Sequence, residues 1–264
     1  MPLLRQETQE SIKSTAKESF LILLYEMIGT AMMTALVANY FAQMSSKDFT
    51  MVDNVGLLLG MFVTIMFSAR ISGSHFNPCI TFSFMIGNVK HGNFDRILGL
   101  LYIAAQFAGA FLGAIFSKVF ASGKDDNIDF ELKGHFQQLV LEMMGSFFLV
   151  FMYLSSTDKK TKFTSDAAIQ TIILAGSYLG AMLLAGSQLP TAASPVNPAI
   201  AFAVILWNSS ANNWAAAWIL CGASFAGSFL ALIFFRFVYQ KTTETLEQME
   251  EEDHEGHNNE ALLG

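Results

Sequence analysis

The sequence is short of charge, proline and cysteine. Only 14% of its 264 residues are charged and only 5 are proline, which excludes a disordered or nucleic-acid-binding chain and disfavours an ordinary soluble domain. The two cysteines, Cys79 and Cys221, lie far apart in apolar stretches, so they predict neither a disulfide framework nor a metal site. Residues 1–19 are too polar to form the apolar core of a signal peptide.

What the chain has instead is hydrophobic length. Hydrophobic residues make up 53% of it, and several long stretches hold one charge or none. Because a membrane-spanning helix needs roughly 20 mostly apolar residues, we predict an all-α membrane protein with six spans. Four of them fall in residues 20–43, 54–69, 97–117 and 136–154, and two lie in the charge-free region between Asp166 and Arg236.

Two apolar segments are too short to cross a bilayer. Pro78–Gly87 and Pro198–Trp207 each follow an asparagine and are bounded by polar or turn-forming residues. A helix of about ten residues rises about 15 Å, half the hydrocarbon thickness, so each segment must enter the membrane and turn back. Backbone at that depth is tolerated only where it is buried in protein or lines a wet cavity, which indicates a channel or a carrier.

The orientation follows from the short loops. With the N-terminus inside, eleven lysines and arginines fall on the cytoplasmic side and four on the outer side, and the excess of positive charge predicts that both termini are cytoplasmic. The net charge of −7 belongs to residues 241–264, where eight acidic residues stand against Lys241. We predict that this tail is disordered beyond a short helical continuation.

The sequence contains an internal duplication. Three short runs recur in the same order at nearly one offset: Glu26-Met27-Ile28-Gly29 as Glu142-Met143-Met144-Gly145, Asn77-Pro78 as Asn197-Pro198, and Phe107–Leu112 as Phe225–Leu230. The predicted channel domain, residues 20–240, thus divides into repeats of about 20–120 and 135–240. Each repeat holds three spans, an odd number, so the second copy is inverted and the two short helices meet near the midplane.

The two Asn-Pro pairs carry the chemistry of that meeting point. Asn is a favoured N-cap and Pro a favoured first helical residue, so each pair starts a helix. Two buried starts place two positive dipole ends and two carboxamide N–H₂ groups beside one cavity, which would orient a passing water molecule and oppose cations. The alternative is that each Asn only caps its helix and contacts no solute.

The runs Ser72–Thr81 and Ser194–Ala199, together with Glu26 and Glu142, resemble the aquaporin, or major intrinsic protein, family. The resemblance covers about residues 20–240. It implies six tilted helices and two half-helices forming one pore per subunit, a homotetramer, and passive conduction of water or small neutral solutes. It implies no cofactor, and it places the pore motifs at Asn77, Pro78, Cys79, Asn197, Pro198 and Ala199. The sequence itself has no nucleophile, base and orienting-group constellation and no metal-ligand cluster, so we expect neither an enzyme nor a metal site.

The resemblance also assigns roles to three ionisable residues in the membrane. It implies that Glu26 and Glu142 accept hydrogen bonds from the re-entrant loops and brace them, and that His75 lies in the cytoplasmic vestibule. A proton relay through the glutamates is the alternative, but apart from His75 the sequence supplies no intramembrane titratable partner for them. A titrating gate is the alternative for His75.

The sequence departs from the family pattern at two positions. Cys79 replaces the usual alanine and places a thiol near the narrowest part of the pore, which predicts block by a mercurial. Ile200 replaces the usual arginine of the outer selectivity filter. The other filter candidates are Leu57, Leu184 or Ala185, and Ser194, so we expect an apolar constriction without a fixed cation.

These observations predict a passive channel in the plasma membrane or an internal vacuolar membrane, with water as the first solute. A glycerol or urea channel is the first alternative. A poorly conducting structural or junctional membrane protein of the same fold is the second, since an apolar filter supplies fewer hydrogen bonds to a file of water.

Overall fold

The computed structural model describes residues 2–44, 50–87, 96–120, 128, 130–132 and 134–263. Its regular elements there are all helices. Ten are α-helical: α1 Pro2–Met44, α2 Met51–Ser68, α3 Pro78–Gly87, α4 Arg96–Phe120, α5 His135–Thr157, α6 Ala167–Ala185, α7 Pro198–Trp207, α8 Ala211–Trp218, α9 Ser224–Phe234 and α10 Gln240–Leu263. Two π-helical segments, Ile219–Ala223 and Phe235–Tyr239, join α8 to α9 and α9 to α10.

The predicted membrane architecture is confirmed. Among the described residues, six helical stretches are long and apolar enough to cross a bilayer: Glu18–Met44, Met51–Ser68, Arg96–Val119, His135–Thr157, Ala167–Ala185 and Ala211–Glu252. The two shorter apolar helices are α3 and α7, and each begins at the proline of an Asn-Pro pair. Polar side chains cap the N-terminal ends of several helices. For example, the Asp166 carboxylate accepts from the backbone N–H groups of Ala168 and Ile169 and so starts α6.

The two halves of the chain pack in the same way. Helix α1 packs against α4 in the first half, and α5 packs against α9 in the second. Each crossing depends on a glycine: a Cβ atom at Gly109 would lie 2.1 Å from the carbonyl oxygen of Met27, and one at Gly227 would lie 2.2 Å from that of Met143. The small residues therefore allow two helix backbones to touch, at positions that the duplication relates to each other.

The half-helices are held between the two halves. Helix α3 contacts α4 and α9, and α7 contacts α4 and the π-helical segment Ile219–Ala223. Helices α2 and α6 pack against each other beside them. A continuous cluster of buried apolar side chains fills the space around the half-helix starts, so these starts lie inside the bundle and away from its outer surface.

The C-terminal tail differs from the sequence-based expectation of disorder. Residues 240–263 form α10, which continues without a break from the last span. No glycine or proline lies between Gly227 and Gly256, so a helix that is already nucleated in the membrane can extend into the acidic segment. Lys160, in the loop between α5 and α6, forms an ion pair of 2.8 Å with Glu244 of α10.

Candidate functional site

Each half-helix begins with its asparagine side chain turned back on the helix. The Asn77 Oδ1 accepts from the backbone N–H of Cys79 at 2.9 Å. The Asn197 Oδ1 accepts from those of Ala199 and Ile200, at 3.0 and 3.3 Å. These bonds satisfy donors that the first turn of a buried helix leaves without a partner. Both asparagines therefore cap their helices, as expected.

The residue before each asparagine has a left-handed backbone. Phe76 has φ of 47° and Val196 has φ of 42°, a region that residues other than glycine rarely adopt. This conformation accompanies a hydrogen bond across the repeats: the Asn197 Nδ2 donates to the carbonyl of Phe76 at 2.8 Å, and the Asn77 Nδ2 donates to that of Val196 at 3.0 Å. The strained residues thus join the two loops at the centre of the molecule.

Glu26 braces the first of these loops. Its Oε1 accepts from the Ser72 hydroxyl at 2.6 Å and from the backbone N–H of His75 at 3.0 Å. Its Oε2 accepts from the backbone N–H of Phe76 at 2.9 Å and from the Gln106 amide at 2.8 Å. The carboxylate has no exposed surface, so this full set of donors compensates its burial.

Glu142 occupies the matching place in the second half. Its Oε2 accepts from the Ser194 hydroxyl at 2.6 Å, and its Oε1 accepts from the Ser224 hydroxyl at 2.9 Å. The contact with Ser194 brings this carboxylate to the loop that precedes α7, so both glutamates have the geometry that bracing requires.

Two tyrosines that sequence reasoning missed reach the same loops. The Tyr178 hydroxyl, from α6, accepts the second N–H of the Asn197 amide at 2.9 Å. The Tyr153 hydroxyl, from α5, donates to the carbonyl groups of Gly73 and Ser74, at 2.9 Å in the case of Ser74. Tyr178 is the only tyrosine between Asp166 and Arg236, so a single phenol in so apolar a stretch is the one sequence signal that points to it.

His75 lies at the inner end of the site. Its side chain is largely buried, with its Nδ1 3.1 Å from the Thr81 hydroxyl, and its ring packs on those of Tyr102 and Tyr153. It lines a cavity of about 510 Å³ together with Arg70 and Gln170. A vestibule position, which the resemblance implies, agrees with this placement.

The filter candidates do not all face inward. Leu57, Ala185 and Ile200 belong to the buried central cluster. Leu184 is 39% exposed and lines a groove with Val140 and Phe148 on the outside of the bundle, so it is not a filter residue. The neighbouring Ala185 faces inward, because adjacent residues on a helix point in different directions.

The Ser194 hydroxyl donates to the carboxylate of Glu142 at 2.6 Å and thus braces the loop. Its place in the filter stays a prediction. The remaining inward candidates, Leu57, Ala185 and Ile200, are all apolar. The described part of this region therefore has no cationic side chain among the residues predicted to form the constriction.

The centre of the site is closed. Asn77, Asn197, Cys79 and Ile200 have no exposed surface, so a water-sized sphere does not reach them. Both cysteines are free thiols, and Cys221 Sγ lies 3.7 Å from the carbonyl of Pro198. Among the described residues, no group of three His, Cys, Asp or Glu side chains is placed to hold a metal ion.

Six spans around two buried, mutually hydrogen-bonded half-helices define a membrane channel. The family model described as "Major intrinsic protein" matches residues 6–238, which confirms the resemblance. The chain therefore belongs to the major intrinsic protein family, whose members with similar sequences are named as aquaporins and not as enzymes.

Similar proteins agree with this assignment. The chain is 32% identical over 192 residues to Aquaporin TIP1-1 of Arabidopsis thaliana, covering 70% of each chain, and 32% identical over 197 residues to Aquaporin TIP1-1 of Zea mays, covering 70% of this chain and 72% of the other. The fold is similar to that of the aquaglyceroporin from Plasmodium falciparum, with a TM-score of 0.70 at 17% identity over 86% of this chain and 99% of that one.

Proposed function

We propose that the protein conducts water and small neutral solutes passively through one pore per subunit. The reciprocal hydrogen bonds of Asn77 and Asn197 carry the proposal, because they place two carboxamides and two helix N-termini at one point. Donors and positive dipole ends at that point bind the oxygen of a neutral solute and oppose cations and protons. The family assignment and the relatives named as aquaporins support it.

Water is the proposed first solute, with glycerol or urea next. The residues proposed for the outer constriction, Leu57, Ala185 and Ile200, are apolar and buried. An apolar constriction offers few hydrogen bonds to water as well as to a polyol, so the order of solutes rests on the relatives named as aquaporins. The constriction also has no fixed cation, and exclusion of cations then depends on the half-helix dipoles.

The assembly and its placement are part of the same proposal. We infer a homotetramer in the plasma membrane or an internal vacuolar membrane, with both termini in the cytoplasm. The excess of lysine and arginine in the loops on the side of the N-terminus supports this orientation. The apolar groove lined by Leu184, Phe148 and Val140 on the outer surface supports contact with lipid or a neighbouring subunit.

Stopped-flow shrinkage of proteoliposomes tests the function. The purified protein is reconstituted, and the vesicles are mixed with gradients of an impermeant osmolyte, glycerol or urea. We expect the vesicles to lose water faster than empty vesicles do. In the glycerol and urea gradients, we expect the re-swelling that follows solute entry to be slower than this water loss. Rates equal to those of empty vesicles for all three solutes would contradict the proposed channel.

A second function has one specific observation in its favour. The closed centre, with no exposed surface on Asn77 or Asn197, is also what a structural or junctional membrane protein of this fold would have. The same assay separates the two functions, because a structural protein leaves the vesicle permeability unchanged. A voltage clamp across a planar bilayer tests whether ions pass in the absence of the filter arginine.

A further inference from the structure

The Tyr178 hydroxyl lies where a permeating molecule would have to bind. A carboxamide N–H₂ group has two hydrogens to donate. Asn197 gives one to the carbonyl of Phe76 at 2.8 Å and the other to the Tyr178 hydroxyl at 2.9 Å. No hydrogen of this amide is left for a solute, although the proposed mechanism requires one.

The first repeat closes on the same point. The Asn77 amide donates to the carbonyl of Val196, the residue before Asn197, at 3.0 Å. A phenol oxygen accepts hydrogen bonds as the oxygen of water does. Tyr178 therefore presents to Asn197 the kind of atom that a water molecule would present in transit.

Burial shows that this arrangement excludes water at the centre. Both asparagines are fully buried and Tyr178 is only 3% exposed. Helix α6, which carries Tyr178, packs against α2 and α5, so its backbone is held in place and the ring can leave only by turning about its own side-chain bonds. A turn of this kind costs the hydrogen bond to Asn197 and opens the centre.

We infer that Tyr178 is the residue that limits conduction, because its hydroxyl takes the place of the permeating molecule at Asn197. The inference rests on the proposed channel function and deepens it. A solute passes only when it displaces this hydroxyl, so it must supply an acceptor oxygen to the asparagines. Small molecules with such an oxygen meet the requirement, and an apolar gas of the same size does not.

Two substitutions separate this role from simple core packing. Tyr178→Phe removes the hydroxyl and keeps the ring, and Tyr178→Ala removes both. We expect Tyr178→Phe to raise the water permeability per reconstituted protein by about three- to tenfold, the factor that corresponds to releasing one net hydrogen bond, and Tyr178→Ala to raise it further. The matched control is Tyr40→Phe. The native Tyr40 hydroxyl, in α1, donates to Asn54 of α2 at 2.7 Å. This substitution should leave the permeability unchanged.

Thiol labelling supplies a readout that does not depend on transport. Cys79 is fully buried beside Asn77, so in a Cys221→Ser background a small water-soluble methanethiosulfonate reagent reports the opening of the centre. We expect Cys79 to react several-fold faster in Tyr178→Ala than in the same background with Tyr178 intact, and Tyr40→Phe to show no such increase. Gel filtration of each variant establishes that it is folded.

The outcomes distinguish this inference from the function on which it rests. If the native protein conducts well above empty vesicles and Tyr178→Phe and Tyr178→Ala change neither flux nor labelling, the inference is overturned and the channel stands. If neither the native protein nor a folded Tyr178→Ala variant conducts, the channel function is overturned and the inference with it. If the native protein conducts water slowly and the two Tyr178 variants conduct it faster, both the channel function and the role of Tyr178 are supported.

Discussion

At the scale of single residues, Glu26 and Glu142 hold equivalent places but accept from different donors. Each oxygen of Glu26 accepts one backbone N–H, from His75 or Phe76. The oxygens of Glu142 accept from the hydroxyls of Ser194 and Ser224. A hydroxyl can turn and become an acceptor, whereas a backbone N–H cannot, so the two carboxylates differ in how far a neutral amide can replace them.

Substitution by glutamine should therefore affect the two halves unequally. In Glu26→Gln the new N–H₂ group must face a backbone N–H whichever way the amide turns, and we expect a loss of about 1–3 kcal/mol in the free energy of unfolding. In Glu142→Gln the serine hydroxyls can turn to accept, so we expect a smaller loss. Thermal unfolding of the detergent-solubilised variants measures both, and equal losses would contradict this explanation.

From the sequence we predicted the site residues that recur in a motif. We missed those that reach the site only through the packing of the helices. Asn77 and Asn197 recur in a motif, so their meeting could be predicted. Tyr153 and Tyr178 have no motif, and only the packing of α5 and α6 brings their hydroxyls to the loops. The choice between Leu184 and Ala185 likewise depended on the rotation of one helix, which a loop of uncertain length leaves open in the sequence.

At the scale of elements, α7 depends on its N-cap residue far more than on its C-cap residue. Asn197→Ala removes two cap bonds and leaves the buried carbonyl of Phe76 without its donor. We expect a loss of about 2–4 kcal/mol in unfolding free energy. Asn208→Ala, at the other end of the helix, removes one bond to the carbonyl of Val204 from a half-buried side chain and should cost less than about 1 kcal/mol.

Urea titration of the two asparagine variants in mild detergent measures this difference. The native protein is the reference, and Asn208→Ala is the matched control because it changes the same residue type at the other cap of the same helix. A similar loss in both variants would show that the cap and the contact across the repeats contribute little.

The helix crossings provide a second prediction for elements. Gly109→Ala brings a Cβ atom to 2.1 Å from the Met27 carbonyl, and a backbone atom has no side-chain rotation with which to give way. We expect α1 and α4 to separate and the unfolding free energy to fall by about 1–3 kcal/mol or more. The yield of monodisperse protein in gel filtration and its melting temperature report the change.

A glycine on an outer face supplies the control for this crossing. A Cβ atom at Gly176, in α6, would have nothing within 4 Å, so Gly176→Ala should be neutral or stabilising by about 0.5–1 kcal/mol, since alanine restricts the unfolded chain. If Gly109→Ala were equally well tolerated, the backbone contact would not be what sets the spacing of α1 and α4.

At the scale of the whole molecule, one ion pair joins the inner loop to the tail helix. The hydrogen bond and charge of Glu244 raise the pKa of Lys160, so the fold favours the protonated lysine. That contribution is complete below the ordinary lysine pKa of 10.5 and is lost only as the pH rises above it. Both side chains are exposed, so salt weakens the pair.

We expect Lys160→Glu to make α10 more accessible to protease at low salt, and the double swap Lys160→Glu with Glu244→Lys to restore protection. Lys159→Glu changes the neighbouring residue and is the control. High salt should remove the difference among these variants, whereas a shift between neutral and mildly alkaline pH should not. Equal digestion of Lys160→Glu and the control at low salt would show that another contact holds α10.

The six spans and the two half-helices could be predicted because each of them depends on local composition. Charge-free stretches indicated the spans, and the proline of each Asn-Pro pair marked the start of a half-helix. Helix α10 could not be predicted in the same way, because its acidic composition alone is typical of a disordered tail and its order derives from the span before it. The closed centre also could not be predicted from the sequence, since it depends on the distance between helices that are far apart in the chain.

The crossed hydrogen bonds between the repeats also constrain the order of biosynthesis. The Asn77 amide donates to a carbonyl 119 residues later in the chain, so its partner does not exist when the first repeat leaves the ribosome. At a synthesis rate of about 5–20 residues per second, the first half waits on the order of 10 s for its acceptor. During that interval the insertion machinery, water or lipid headgroups must satisfy the exposed end of α3, which makes this nascent half-channel the stage most open to quality control.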